Sequence, residues 1–291
     1  MHKNKLAALV SLLLACGSAL AHEFWIQPAQ FRPDNNAVLG VQLRVGDGFP
    51  GEPRPRDPNR LRRFVAISPD GTEDVAGIDG RDPAGLLRLK AVGVHVLAYE
   101  SSASVIELDA EKFESYLKDE GLEAIIEQRA ALGESAASAK EAFSRCAKSL
   151  ICCERSNAAE VWKKPVGLKL ELIPDADPYA STPGDKASYV LLADGKPVEG
   201  ALVRAASSRG KPGEWQKART DKDGRVTFTL ADSGPWLLSS VRMERAAEGE
   251  DVQWKSTWAS LTFEVPGPDT KGPAGQPIPK PATPTPVPSA Q

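Results

Sequence analysis

The chain has 291 residues, a length that points to two compact domains with tails. Its 41% hydrophobic and 26% charged residues are those of a globular protein with real cores. With 36 basic against 39 acidic side chains, a net charge of -3 and only three histidines, it has no basic footprint for nucleic acid and little material for imidazole chemistry.

Residues 1–21 read as an export signal. His2, Lys3 and Lys5 lead into the apolar run Leu6 to Ala15, and small residues end in Ala19-Leu20-Ala21. That run is too short to span a bilayer, which takes about 20 residues, and no later stretch approaches that length. Losing the signal removes Lys3 and Lys5 and makes the remainder more negative. Cleavage after Ala21 leaves His22 as the first residue of a periplasmic protein. A second processing route stays open, because Leu13-Leu14-Ala15-Cys16 has the form of a lipoprotein site that would anchor the chain at Cys16. The two routes differ chemically. A free N-terminal His22 offers its α-amine and imidazole as a two-point chelate for copper or nickel once the amine loses its proton. After lipidation at Cys16, His22 is internal and that chelate does not exist.

Residues 22–108 read as an N-terminal β domain. Val38–Val45, Leu61–Ile67 and Val92–Tyr99 alternate apolar and polar side chains with the period of half-buried strands. Asp47-Gly48, Asp70-Gly71 and Asp79-Gly80 supply turn positions between them, and Pro50–Pro58 reads as an extended loop. From Asp109 the period becomes 3.6, so 109–164 reads as a small helical insertion of three helices. Asp109 caps the first, whose face carries Phe113, Tyr116 and Leu117, with Gly121 closing it. Leu122, Ile125 and Ile126 mark a second helix ending near Gly133. A third, Ala137–Cys152, sets Phe143, Cys146, Ala147, Leu150 and Ile151 on one stripe. Residues 165–265 return to β, with turn signals at Asp194-Gly195 and Asp223-Gly224. Their pattern resembles the small sandwich modules of the immunoglobulin and carboxypeptidase-regulatory type. The expected fold is therefore mainly β, two β-sandwich domains with a helical insertion. Pro266–Gln291, with nine prolines and little apolar mass, reads as a disordered tail.

Few residues carry chemistry. Cys146, Cys152 and Cys153 are an odd set for an exported chain, and on a continuous helix Cys146 and Cys153 would stand about 10 Å apart, beyond disulfide reach. Cys146 then reads as a small buried hydrophobe. Asp221-Lys222-Asp223-Gly224 has the start of a calcium loop without its twelfth-position ligand and reads as a turn. His95, on the strand Val92–Tyr99, shares a face with Leu97 and Tyr99 and reads first as a half-buried, hydrogen-bonded histidine. There is no Gly-x-Ser-x-Gly elbow and no phosphate-cradling glycine loop, so a non-enzymatic protein is expected.

Several segments together resemble one bacterial family. They are His22-Glu23-Phe24-Trp25-Ile26, Arg44 to Glu52, Glu111 to Leu117 running into Glu120-Gly121-Leu122, Ser144 to Leu150, and Trp258 to Phe263. The family is the domain of unknown function numbered four-one-nine-eight, known as the NikM-like periplasmic component of nickel or cobalt uptake. The resemblance implies a divalent transition metal as ligand, a metal-uptake membrane permease as partner, and His22 as the family's mature N-terminal histidine. Relatives carry a Val-His-Met step where this chain has Val241-Arg242-Met243. Arginine cannot act as a ligand. If the family site uses that histidine, this chain replaces it with another residue, His95 being the candidate, or has dropped the metal. The alternative is an envelope module that binds protein or glycan, with tryptophans lining a groove.

Overall fold

The computed structural model describes residues 23–154, 160–211 and 213–267. The signal, Cys16, His22 and nearly all of the proline-rich tail lie outside the described residues. In chain order the strands of the first half are β1 (Glu23–Pro28), β2 (Val38–Gly46), β3 (Glu52–Arg54), β4 (Leu61–Ser68), β5 (Gly71–Asp74), β6 (Gly85–Arg88), β7 (Gly93–Ser101) and β8 (Ser104–Leu108). Two helices follow, α1 (Ala110–Asp119) and α2 (Glu123–Ala131), and then the long strand β9 (Ala139–Cys153). The second half holds β10 (Leu170–Pro174), β11 (Asp185–Ala193), β12 (Lys196–Pro197), β13 (Leu202–Ser207), β14 (Gln216–Arg219), β15 (Arg225–Leu230), β16 (Gly234–Arg245) and β17 (Trp254–Val265).

The protein is mainly β, and its two sandwich cores share one sheet. A nine-stranded sheet runs β14-β13-β16-β17-β9-β7-β4-β5, with β8 also on β9. A four-stranded sheet of β1, β2, β3 and β6 covers one face, and a four-stranded sheet of β10, β11, β12 and β15 covers the other. The side chains of the shared strands show this division directly. Leu97, Tyr99, Ala147 and Ile151 join the core beneath β1 and β2. Val94, Val96, Leu150 and Cys152 join the core beneath β10, β11 and β15. The two helices lie on the same face as β1, where Phe113, Tyr116 and Leu117 pack on Val241, Trp254 and Trp258.

The third helix expected over Ala137–Cys152 is a strand, β9, pairing parallel with β17 and antiparallel with β7 and β8. A strand covered on both faces loses its alternation and becomes a near-continuous buried run. Its apolar residues can then fall by chance on a helical stripe. From Cys146 to Cys153 every residue of β9 is buried, Lys148 included. On an extended strand the span from Cys146 to Cys153 is about 23 Å. Cys152 and Cys153 face opposite cores, and all three described cysteines are buried.

The first two helices form where expected. Asp109 caps α1 by accepting from the Lys112 N–H at 2.9 Å, and Gly121 leaves it at φ +67. All five Asp-Gly steps put their glycine at positive φ. Asp79-Gly80 and Asp223-Gly224, however, join β5 to β6 and β14 to β15 across different sheets rather than closing the hairpins expected of them. In the second of these turns Asp221 is the organising residue. There the Asp221 carboxylate accepts from the N–H groups of Asp223 and Arg225, both at 2.9 Å, which makes it a turn clamp.

Candidate functional site at the chain start

Glu23 opens β1, opposite Gly46 of β2, and is only 2% exposed. Its carboxylate lies on Arg204 of β13 and accepts from Ser239 Oγ of β16 at 3.3 Å. Arg204 and Ser239 are cross-strand partners, so the sheet register places both beneath the chain start. The same guanidinium nitrogen, Nη2, donates to Glu120 Oε1 at 2.7 Å. Glu120 is the C-cap of α1 and is nearly as buried as Glu23. The Trp215 ring lies over Arg204 at 5.2 Å, and its Nε1 donates to Asp47 Oδ1 at 3.1 Å. Strand start, helix end and the loop after β2 thus meet on one guanidinium.

A second buried group adjoins the first. Glu141 Oε1 accepts from Tyr116 Oη at 3.1 Å and from Ser256 Oγ, while Trp258 Nε1 donates to Ser256 Oγ at 3.2 Å. Arg145 lies within 5.3–5.7 Å of the Phe24, Phe143 and Trp258 rings, a box of aromatic faces for one cation. Tyr116 and Glu120 also line a cavity of about 500 Å³ along α1, together with Asp109, Lys112, Ser115 and Asp119.

Burial governs the ionisation here. It lowers Arg204 and Arg145 to about 10 each. It pushes Glu141 up against the hydrogen bonds from Ser256 and Tyr116. Glu120 rises from 4.5 to about 8, first through burial, then through repulsion from Asp119, against the pull of Lys217. A carboxyl raised on folding binds its proton more tightly in the native state than in the unfolded chain. Its contribution to stability is complete below pH 4.5 and is lost as pH rises toward 8. The Glu120 contribution therefore falls across that window by at most roughly 1.4 kcal/mol per pH unit. Glu120→Gln flattens the slope, and thermal melts from pH 5 to 8 read the difference. Parallel profiles for the two proteins would refute the assignment.

The remaining sequence candidates fall elsewhere. His95 faces the β1-side core at 3% exposure, and its Nε2 is bonded to the Ala91 carbonyl at 2.8 Å. Burial lowers its pKa below 6.5, opposed by that bond and by Glu73 and Asp70. It sits on β7, three strands across from β16, and four residues along β7 from Tyr99, the position in register with the Ser239 that meets Glu23. Arg242 is exposed on β16, between the buried Val241 and Met243. Ser239 and Arg242 have opposite parity on that strand, so a side chain at 242 projects from the face opposite the one Glu23 covers. Five of the six tryptophans are buried and Trp215 is half-buried, so the described residues present no tryptophan groove for sugar stacking. Among them, no three His, Cys, Asp or Glu side chains group as a metal set.

Sequence reasoning missed Arg204, Glu120 and Glu141. The signal that could have found Arg204 is a charged residue inside the apolar run Leu202 to Ala206.

The family described as Domain of unknown function (DUF4198) matches residues 19–244. The chain belongs to this family. The match takes in the chain start, α1, β9, β13 and most of β16, so every residue of the Glu23–Arg204–Glu120 cluster is part of the DUF4198 region. No curated protein matches the chain. Solved structures similar to it include the D0-D1 domain of Intimin, at 11% identity and a TM-score of 0.20, covering 83% of this chain and 97% of that one. The D00-D0 domain of Intimin is similar at 10% identity and a TM-score of 0.20, covering 83% and 99%. A tetra-tandem repeat in the extending region of a large adhesion protein is similar at 11% identity and 0.20, covering 84% and 50%. The fold of this DUF4198 chain is accordingly read from its own strand pairing.

Proposed function

We propose that the protein is an exported, non-enzymatic periplasmic binding protein for a divalent transition metal, nickel or cobalt. The α-amine and imidazole of His22 are the anchor ligands after cleavage at Ala21–His22. The observation that carries this reading is the clamp on Glu23. The ordered strand begins one residue after the cleavage point, and its first side chain is buried and ion-paired. Residue 22 is one peptide bond, about 3.8 Å between Cα atoms, from Glu23, whose Arg204 partner also holds Glu120. Amine and imidazole donors suit nickel, cobalt and copper better than hard cations. His95, held by a backbone carbonyl in another part of the sheet, has no part in this reading. The resemblance of the sequence to NikM-like proteins guides the choice of metal and implies a membrane permease as the recipient.

The test uses protein purified after native export. Intact mass starting at His22, and a melting temperature that rises with nickel or cobalt, are the expected results. At a hundredfold excess over Kd the gain is about 2.7 kcal/mol. His22→Ala abolishes that gain. A protein lipidated at Cys16, or a His22-start protein whose melting temperature ignores nickel, cobalt and copper alike, overturns the reading.

A further inference from the structure

Among the described residues, four buried side-chain atoms have no hydrogen-bond partner: Ser149 Oγ, Ser260 Oγ, Tyr189 Oη and Trp254 Nε1. Tyr189 and Trp254 stand apart, each in its own apolar cluster. The two serines lie together. β17 pairs in parallel with β9, which matches Ser260 with Ala147 and Thr262 with Ser149. Ser149 shares its face of β9 with Ala147 and Ile151, and Ser260 shares its face of β17 with Thr262, so both point to the β1 side of the nine-stranded sheet. They are 0% and 2% exposed.

β1 crosses above this seam and packs on both β9 and β17. Its ladder is to β2 alone, so its second edge has no strand beside it. Thr262 Oγ1 shows how that edge is served, donating to the Ile26 carbonyl at 2.7 Å. In an antiparallel strand the N–H and C=O of one residue point the same way, so the Ile26 N–H and the main-chain groups of Phe24 also turn away from β2. Toward the chain start, Ser239 is matched with Ser260 and donates to Glu23. Hydroxyls therefore line a track beneath β1, while Ile26, Leu97, Ala147 and Ile151 make the apolar contact around it. A serine in such a contact costs free energy unless its hydroxyl is bonded.

We infer that the seam between β1 and the β9–β17 pair is a binding site for ordered water, held by Ser149 Oγ, Ser260 Oγ and the open edge of β1. Buried water makes about three hydrogen bonds to groups that have no other partner. Ser149 stands opposite Thr262, and Ser260 opposite Ser239, each pair about 4.8 Å apart along the backbone and within reach of one bridging water. Water accepts from the Ile26 N–H and donates to a hydroxyl oxygen, so it serves both sides of the seam at once. Neutral hydroxyls and amides suit a small neutral ligand.

The experiment is a crystal structure of the wild-type chain, together with oxygen-17 relaxation dispersion in solution, which counts long-lived internal waters. Density for ordered water about 2.5–3.0 Å from both serine hydroxyls is the expected result. The double variant Ser149→Ala, Ser260→Ala is expected to lose about two long-lived waters while circular dichroism shows it folded. Density in which both hydroxyls bond main-chain carbonyls, with no water in the seam, overturns the inference. An unchanged water count in the folded double variant overturns it as well. If that variant does not fold, the wild-type density decides. None of these outcomes bears on the His22 reading.

Discussion

Replacing Glu171 by alanine lowers the unfolding free energy by about 3–5 kcal/mol, the usual result of removing one partner from a buried ion pair. Lys148 of β9 is 0% exposed, and its ammonium sits 3.2 Å from Glu171 Oε2 of β10, between the nine-stranded sheet and its cover. Glu171 also accepts from the backbone N–H groups of Val166 and Gly167, at 3.1–3.2 Å. Alanine therefore leaves one buried cation and two N–H groups without their acceptor. Burial already lowers the Lys148 pKa, and only Glu171 opposes it. The double variant Lys148→Met, Glu171→Leu recovers much of the loss, because apolar residues of similar volume often replace buried pairs at little cost. Urea unfolding of the three proteins checks this. A loss below about 1 kcal/mol in Glu171→Ala, the level of an exposed pair, refutes it.

Gly51→Ala costs about 2–5 kcal/mol, combining the left-handed backbone penalty with overpacking. Gly51 has φ +57, and a Cβ there would lie 2.2 Å from Cη2 of Trp25 and 2.9 Å from the Val45 carbonyl oxygen. The Trp25 ring cannot retreat easily, being fully buried with Phe49 edge-on at 5.7 Å. The loop cannot lift easily either, because Arg44 Nη1 holds the carbonyls of Pro50 and Gly51 at 3.1 and 3.0 Å. Gly71→Ala, at a hairpin turn with open space around it, is the control and costs less. Equal losses in the two variants would remove Trp25 from the explanation.

Strands with one wet or half-wet edge were legible in the sequence. β2 and β4 start at Val38 and Leu61 as their alternation requires, and α1 begins after Asp109 because a capping carboxylate is a local, chemical signal. β9 was not legible. Burial on both faces erases period two, and only the partner strands decide that Ala139–Cys153 is extended. The candidate site divides in the same way. Glu23 belongs to a motif visible in the chain, but its partner Arg204 lies 181 positions away along the sequence, and Glu120 is a further 84 positions from Arg204. Composition says that acidic and basic side chains exist in near-equal numbers, whereas the convergence of particular ones is a property of sheet register. His95 shows the converse. Its strand and face were readable, but its bond to Ala91 depends on how the preceding loop folds back.

The parallel pairing of β9 with β17 has a kinetic consequence. Cys146 is matched with Ala259, and Ile26 of the first strand takes a hydrogen bond on its carbonyl from Thr262 of the last, at 2.7 Å. The middle of the large sheet therefore cannot close until the final strand has been synthesised, and until then the edge of β9 waits unpaired. Contacts this distant make folding slow, since loop closure must precede any reward. An emerging chain stays open, and prone to aggregation, until about residue 265 is available. On the export reading that delay is useful, because a polypeptide threaded through a translocon must still be unfolded when it arrives. C-terminal truncation into β17 should then abolish the native state as a whole rather than shorten one edge.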